Sequence, residues 1–449
     1  MNLHILGICG TFMGGVAQIA RSLGHQVTGS DQNVYPPMSD QLTALGIELM
    51  NGYKPEHLDP APDLVIVGNT LSRGNSELES VLNRRLPYIS GPEWLYQEVL
   101  NNKHVLAVSG THGKTTTTTI LSWILEYAGL NPGFLIGGVA ENFNLSARYT
   151  DSDYFVIEAD EYDTSFNDKR SKFMHYHPKT LIINNIEFDH ADIFHDIAAI
   201  RREFHHLLRI IPQQAKIIVP QDDLEVTKLL ELGCWTPLET FSGSNAEWSL
   251  TNADGDYRNF AILKKDKVVG KISWSLMGEH NAYNALAAII AAHDIGVTID
   301  KACSALSEFK SVKRRLECIF DAKGIQIYDD FAHHPTAITK TLRALRQHAG
   351  KNRLIAIMEP RSNTMRMGVH AETLSSAFID ADLVLLFQAD NVDWDIAKHM
   401  IDLGTRCRVF TDIETIISVV SQEYRQGDHI VIMSNGAFEG LHKKLIEVL

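Results

Sequence analysis

The stretch "VLAVSGTHGKTTTTTILSWILEYAG", residues 105–129, carries the reading of the fold. A short apolar run ends at Ser109, a glycine turn bearing Lys114 follows, and an aliphatic, threonine-rich run continues to Gly129. A strand feeding such a turn and then a helix leaves unpaired backbone N–H groups converging on one point, where the helix dipole favours an anion. The turn therefore predicts a phosphate cradle built from Gly110, Thr111, His112, Gly113, Lys114, Thr115 and Thr116. Lys114 would bridge the terminal phosphates, and Thr115 would offer its hydroxyl to Mg²⁺. The longer Walker spacing asks for glycine where Val108 stands, so only GTHGKT matches. β-Branched residues are mediocre helix formers. The five threonines are accordingly expected to cap or to touch phosphate or metal at the first one or two positions, and to pack at the rest.

Outward from this turn, two apolar runs end in acids. "YFVIEAD" carries Glu158 and Asp160, with Glu161 and Asp163 beyond it, and "TLIINNIEFDH" carries Asp189 and His190, with Asp192 beyond. The C-terminal ends of parallel strands share one edge, which is where ligands bind. Oxygen ligands suit Mg²⁺ and a neutral imidazole can join them, so Glu158 and His190 are expected to hold metal; the alternative is acids that cap helices and solvate loops. A second glycine turn, "LGICGTFMGG", places Gly7, Gly10 and Gly14 more widely than the dinucleotide pattern, and Asp31 ends the next strand. It fits a nucleotide diphosphate, NAD, or close helix-to-strand packing.

The surrounding alternation of short strands with amphipathic helices implies an α/β protein with parallel sheets. Its 449 residues suggest about three domains. These are a Rossmann-like unit at 1–100, a P-loop ATPase-like central unit at 101–311 with appended antiparallel strands between about 241 and 276, and a Rossmann-like unit at 312–449. Linkers near 101 and 312 are the expected hinges. A formal net charge of −14 excludes a nucleic-acid binder, which needs clustered Lys and Arg. The five cysteines are scattered, with no CxxC pair, and no apolar run approaches the roughly 18 residues of a membrane span. Without a basic leader, the N-terminus predicts a cytoplasmic protein. No feature fixes an oligomeric state.

Six stretches in order resemble the Mur ligases, the ATP-dependent amide-forming enzymes of peptidoglycan assembly: "GTHGKTTT" at 110–117, "EADEYD" at 158–163, "NNIEFDHADIF" at 184–194, "GEHNAYNALAA" at 278–288, "VKRRLE" at 312–317 and "DDFAHHPT" at 329–336. The resemblance spans essentially the whole chain. It implies that the lactyl carboxylate of UDP-N-acetylmuramate attacks the γ-phosphate of ATP and that an amine then displaces phosphate from the acyl phosphate. "GTHGKT" and "DDFAHHP" are similar to the branch that adds L-alanine. "GICGTFMGG", "SDQNVYPPMS", "EADEYDTSFNDKRSKF", "EPRSNTMRMG" and "MSNGAFEG" are similar to the branch that adds the murein tripeptide L-alanyl-γ-D-glutamyl-meso-diaminopimelate in recycling, and this branch is the expectation.

By the same resemblance, Lys114, His190, Arg315 and His333 serve catalysis, and Asn281, Asn284, Arg315 and Asp330 join the ATP site. Gly10, Thr11, Gly14, Asp31, Asn69, Thr70 and Ser72 hold the UDP-sugar, and Thr115, Glu158 and His190 hold Mg²⁺. Arg361, Ser362, Asn363 and Arg366 are assigned to the peptide's carboxylates, because guanidinium geometry suits them. One departure stands out. Several Mur ligases carry a carbamylated lysine about fifteen residues after the histidine, where this chain has Phe204 and His205, as does the alanine-adding branch in lacking that lysine. A reading from another class, a nucleotide-sensing binding protein or an NAD-dependent oxidoreductase, leaves the lysine loop and the acidic strand ends without a use.

Overall fold

Five short apolar stretches of the first hundred residues become five parallel strands. In the computed structural model, which describes residues 1–34 and 38–449, they lie in the order Glu48–Asn51, Gln26–Asp31, Asn2–Leu6, Leu64–Val67 and Tyr88–Ser90. Tyr35, Pro36 and Pro37, in the middle of "SDQNVYPPMS", lie outside the described residues. The order reverses between Asn2–Leu6 and Leu64–Val67, and ligands of open α/β sheets bind at such a switch point.

The described chain divides into two compact units. One comprises Met1–Glu187, Ala198–Ser249 and Asn284–Phe309; the other comprises Phe188–Ile197, Leu250–Tyr283 and Lys310–Leu449. The first unit contains a second sheet around His104–Ser109, which pairs in parallel with Thr180–Ile183 on one side and Tyr154–Glu158 on the other. Lys216–Pro220 and Leu238–Phe241 extend it in parallel beyond Thr180–Ile183. Gly133–Ala140 extends the opposite side in parallel, and Leu145–Arg148 closes that edge antiparallel. Helix Thr11–Ser22 of the first sheet covers this edge: a side chain on Gly15 would meet Ala147 and Leu135, and the buried Gln18 amide donates to Ser146 Oγ at 3.1 Å. Residue 101 therefore connects two sheets inside one unit.

In the second unit, Glu317–Ala322 pairs antiparallel with Ile325–Asp330, and the sheet continues in parallel through His429–Met433, Leu354–Met358, Leu383–Phe387 and Cys407–Phe410. Leu354, Ala356 and Met358 face one buried layer while Ile355 and Ile357 face another, as expected of a central strand covered on both faces. Asn259–Lys264 and Lys267–Ser273 form the antiparallel hairpin anticipated at Lys265-Asp266, both with positive φ, as a tight two-residue turn needs. Across the turn anticipated at Asp254-Gly255, Asn259–Lys264 is next in the sheet to Trp248–Thr251. Trp248–Thr251 meets Leu238–Phe241 in parallel at the single pair Phe241↔Trp248, where side chains add anchors: the buried Trp248 indole donates to Glu239 at 3.0 Å, and Thr240 Oγ1 accepts from the Glu247 N–H at 3.1 Å.

Among the described residues no helix is long and apolar enough to cross a membrane. The five cysteines are free. Under the first sheet, the buried Glu77 carboxylate meets His4 Nε2 at 2.8 Å, His57 Nδ1 at 3.3 Å and the Lys54 N–H at 3.2 Å. Glu77→Ala strands these groups and is expected to lower stability by about 3 kcal/mol. Thermal unfolding monitored by circular dichroism measures the drop.

Candidate active site

Gly110 and Gly113 sit at φ +124° and +82°, backbone that side chains rarely adopt. Crowding adds to the requirement: a Cβ on Gly113 would stand 2.5 Å from Asn284 Oδ1, and one on Gly110 would stand 2.9 Å from the Asn185 carbonyl oxygen. Helix Lys114–Tyr127 starts directly after Gly113 with no side-chain cap, so its first N–H groups remain available to an anion. The Lys114 ammonium folds back over its own loop, donating to Gly110 O at 2.7 Å and Thr111 O at 3.4 Å. It also reaches Glu161 Oε2 at 3.3 Å and Asp160 Oδ1 at 3.7 Å. Burial pulls its pKa down, but the carboxylates of Glu161, Asp160 and Glu158 outweigh that and hold it well above the ordinary lysine value.

Thr115 and Glu158, both expected at metal, come together: the Thr115 hydroxyl donates to Glu158 Oε1 at 3.1 Å, and Oε2 accepts the Gly137 N–H at 2.7 Å. Gly137 has no room for a side chain, since a Cβ would stand 2.6 Å from that carboxylate. The later threonines do more than pack. Thr117 Oγ1 accepts from Asn184 Nδ2 at 2.9 Å, and Thr118 and Thr119 each donate to the carbonyl four residues earlier at 2.8 Å, which satisfies buried hydroxyls within the helix.

Sequence reasoning missed what braces the loop. Asn185 Oδ1 accepts the His112 N–H at 2.8 Å and its amide returns to His112 O at 3.0 Å, while Thr111 Oγ1 accepts the Glu187 N–H at 2.8 Å. It also missed Lys172, buried beside the acidic strand end, whose pKa is lowered by burial against the opposing pull of Asp160, Glu158 and Glu161.

At the first glycine turn, the Asp31 carboxylate accepts N–H groups from Cys9 at 2.9 Å and Asn33 at 3.1 Å, so it shapes the turn itself. Gly10 precedes helix Thr11–Ser22, again with no side-chain cap. Gly14 abuts Met38, a close-packing position. The loop holding Asn69, Thr70 and Ser72 follows Leu64–Val67, and Thr70 Oγ1 lies 3.7 Å from where a Gly7 Cβ would sit, at the switch point.

In the second unit, Asp189 is nearly buried. Burial raises its pKa, but His190, His333, the His190 N–H and His334 outweigh this and hold the carboxyl well below its ordinary range. Its Oδ1 also accepts the Thr364 hydroxyl at 3.0 Å. The segment expected to bind peptide is thereby tied to the "DHAD" loop, with Asn363 Nδ2 donating to Asp192 at 2.9 Å and Arg366 donating to Asn363 Oδ1 at 2.6 Å. Ser362 caps the short helix that follows, and the Arg361 guanidinium lies against Gly436, where a side chain would displace it. Arg315 stands over the Phe331 ring at 4.8 Å, and His333 Nδ1 lies 2.9 Å from Phe331 O. Arg314 is structural, donating to the Ser434 and Gly436 carbonyls at 2.7 Å. The buried Asp330 carboxylate accepts N–H groups of Leu316 at 2.7 Å and Ala332 at 2.9 Å and the Thr341 hydroxyl at 3.1 Å, which commits it to the turn. Asn281 donates to Met277 O at 2.8 Å. Lys114, Thr115, Thr116, Glu158 and Asn284 thus fall in the first unit, and His190, Asn281, Arg315, Asp330, His333 and residues 361–366 in the second.

Known proteins share this arrangement end to end. Residues 2–103 match the Mur ligase family catalytic domain, 108–292 the Mur ligase middle domain, and 314–436 the Mur ligase glutamate ligase domain. The UDP-N-acetylmuramate-L-alanyl-gamma-D-glutamyl-meso-2,6-diaminoheptandioate ligase of Escherichia coli (strain K12) is 51% identical over 450 residues, covering 100% of this chain and 98% of that protein. The chain belongs to the Mur ligase family. A UDP-N-acetylmuramate-L-alanine ligase of a Psychrobacter species is 32% identical to this Mur ligase over 461 residues, covering 99% of this chain and 94% of the relative. Among solved structures, a murein peptide ligase from Psychrobacter arcticus covers 100% of this Mur ligase and 98% of its own chain at 45% identity and a TM-score of 0.76. A UDP-N-acetylmuramate-alanine ligase from Thermotoga maritima covers the same shares at 22% identity and a TM-score of 0.84, a likeness of fold.

Proposed function

We propose that this Mur ligase joins UDP-N-acetylmuramate to L-alanyl-γ-D-glutamyl-meso-diaminopimelate, driven by ATP, in the cytoplasm. The observation that carries the choice of amine is identity: 51% to the tripeptide-adding ligase of Escherichia coli along the whole chain, against 32% to an alanine-adding relative that covers 99% of it. Three modules at 1–100, 101–311 and 312–449 are assigned to the UDP-sugar, ATP and the peptide.

The chemistry brings anions together that repel one another. Lys114, already above the ordinary lysine pKa, stays charged at neutral pH and has only to exchange the Gly110 and Thr111 carbonyls for phosphate oxygens. The uncapped start of its helix adds N–H donors. The donor set of Thr115 hydroxyl and Glu158 carboxylate is all oxygen and fits a hard divalent cation; Mg²⁺ held there would neutralise charge building on the phosphates, with His190 assigned to a second ion. The carboxylate oxygen attacks the γ-phosphorus and ADP leaves. The peptide amine then attacks the acyl carbon, loses a proton and expels phosphate. Arg315 and His333 are assigned to the developing charge, and Arg361, Ser362, Asn363 and Arg366 to the peptide's carboxylates.

Phosphate release measured with UDP-N-acetylmuramate, ATP and Mg²⁺ tests the reading. The tripeptide is expected to support turnover and L-alanine is not. Turnover with L-alanine alone overturns the choice of amine, and amine-independent ATP hydrolysis overturns the ligase reading.

A further inference from the structure

Lys172 opens the turn Lys172–His175 and is only 6% exposed. Its placement is fixed from several sides. Its backbone N–H bonds to Tyr162 O at 2.9 Å, and the Ser171 hydroxyl lies 2.8 Å from Glu161 O and 3.0 Å from Glu203 Oε2. Phe173 packs on the buried Phe204 with ring centroids 5.4 Å apart. The ammonium stands over two rings, Phe12 at 5.0 Å and Tyr162 at 5.6 Å, and among the described residues it donates no hydrogen bond and makes no direct ion pair.

An ammonium carries three donors, and burying them without acceptors is costly; aromatic faces offset only part of that. With the backbone fixed and the residue only 6% exposed, the side chain keeps little contact with water. The position therefore suits a ligand acceptor that arrives during function. Phe12 belongs to the helix that starts at the first glycine turn, whereas Tyr162 directly follows Asp160 and Glu161, which pair with Lys114, so the ammonium lies between the proposed sugar side and the proposed phosphate side. The phosphates already have Lys114.

We propose that Lys172 binds the reacting carboxylate of the acyl donor, holding the oxygen that does not attack phosphorus. The proposal rests on the ligase reading above. In the first step one carboxylate oxygen forms the bond to the γ-phosphorus as the bond to ADP breaks, and Lys172 donates to the other oxygen, which becomes the acyl-phosphate carbonyl. When the amine adds, that oxygen takes the negative charge and Lys172 remains its donor; as phosphate leaves, the carbonyl re-forms.

The test uses the full-length protein with Mg²⁺ and a non-hydrolysable ATP analogue, and calorimetric titration with UDP-N-acetylmuramate and with UDP-N-acetylglucosamine, the same nucleotide sugar without the lactyl carboxylate. Lys172→Met is expected to raise Kd for the muramate by about tenfold or more, while Kd for the glucosamine and for the ATP analogue stays within about twofold. Lys172→Arg, which keeps the charge, retains the muramate affinity. Lys172→Gln carries the same comparison if the methionine variant does not fold. A lysine that merely balances the acids changes all three affinities together, and that result, or no change in any, overturns the proposal. If the wild-type protein binds neither sugar, the ligase reading falls first and the proposal with it.

Discussion

Replacing Lys114 with alanine drops amine-dependent phosphate release by about a hundred- to a thousandfold while the far-ultraviolet signature of the fold stays native. The expectation comes from what the side chain touches. Its present partners are two carbonyls of its own loop and two carboxylates, none of which needs it for the backbone path. That path is set by Gly110, Gly113 and the Asn185 bonds, which the substitution leaves alone. The variant does leave Glu158, Asp160 and Glu161 without that ammonium, although Lys172 still feels all three. Breaking a buried pair costs about 3–5 kcal/mol where the remaining charge has no relief, and Mg²⁺ at the proposed site would supply relief. Thermal melts with and without Mg²⁺ should therefore differ more for Lys114→Ala than for the parent. Ligation at more than a tenth of the parental rate sinks the assignment of this loop.

Glu158→Gln is the second large effect. Glutamine keeps the shape, can still accept the Gly137 N–H and can meet the Thr115 hydroxyl, so the strand end should fold as before. What it loses is the charge that recommends the site for a hard cation. Phosphate release titrated with Mg²⁺ is expected to need at least about tenfold more metal for half-activation, with a maximal rate reduced about a hundredfold. An unchanged Mg²⁺ dependence removes Glu158 from the metal site, whatever happens to the rate.

The parts of this site legible in the sequence are those whose chemistry is local. Glycines before a lysine, at the junction of an apolar run and a helix, state their geometry within ten residues. Acids that end apolar runs state which sheet edge they occupy, and that placement brings Glu158 to Thr115. Bracing is long-range and leaves no pattern: Asn185 meets His112 across 73 residues, and Thr364 meets Asp189 across 175. Lys172 sits in an irregular stretch without periodicity, and nothing in "KRSKF" says which cation turns inward. Arg314 and Arg315 are adjacent, yet one holds the Ser434 and Gly436 carbonyls and the other lies over Phe331, a distinction made by the positive φ of Arg314 and its neighbours. The parallel sheets were readable for the same reason the cradle was: apolar runs of strand length separated by amphipathic helices imply parallel strands joined by crossovers.

The seating of helix Thr11–Ser22 on Leu145–Arg148 has a consequence for the reaction's entropy. The proposed sugar pocket and the lysine cradle belong to one compact unit, so their alignment is built in when the chain folds and costs less orientational search at each turnover. Drift in that alignment would have to begin by peeling Gly15 and Gln18 from a closed sheet margin, so substitutions at those two remote positions reach the chemistry without touching a substrate.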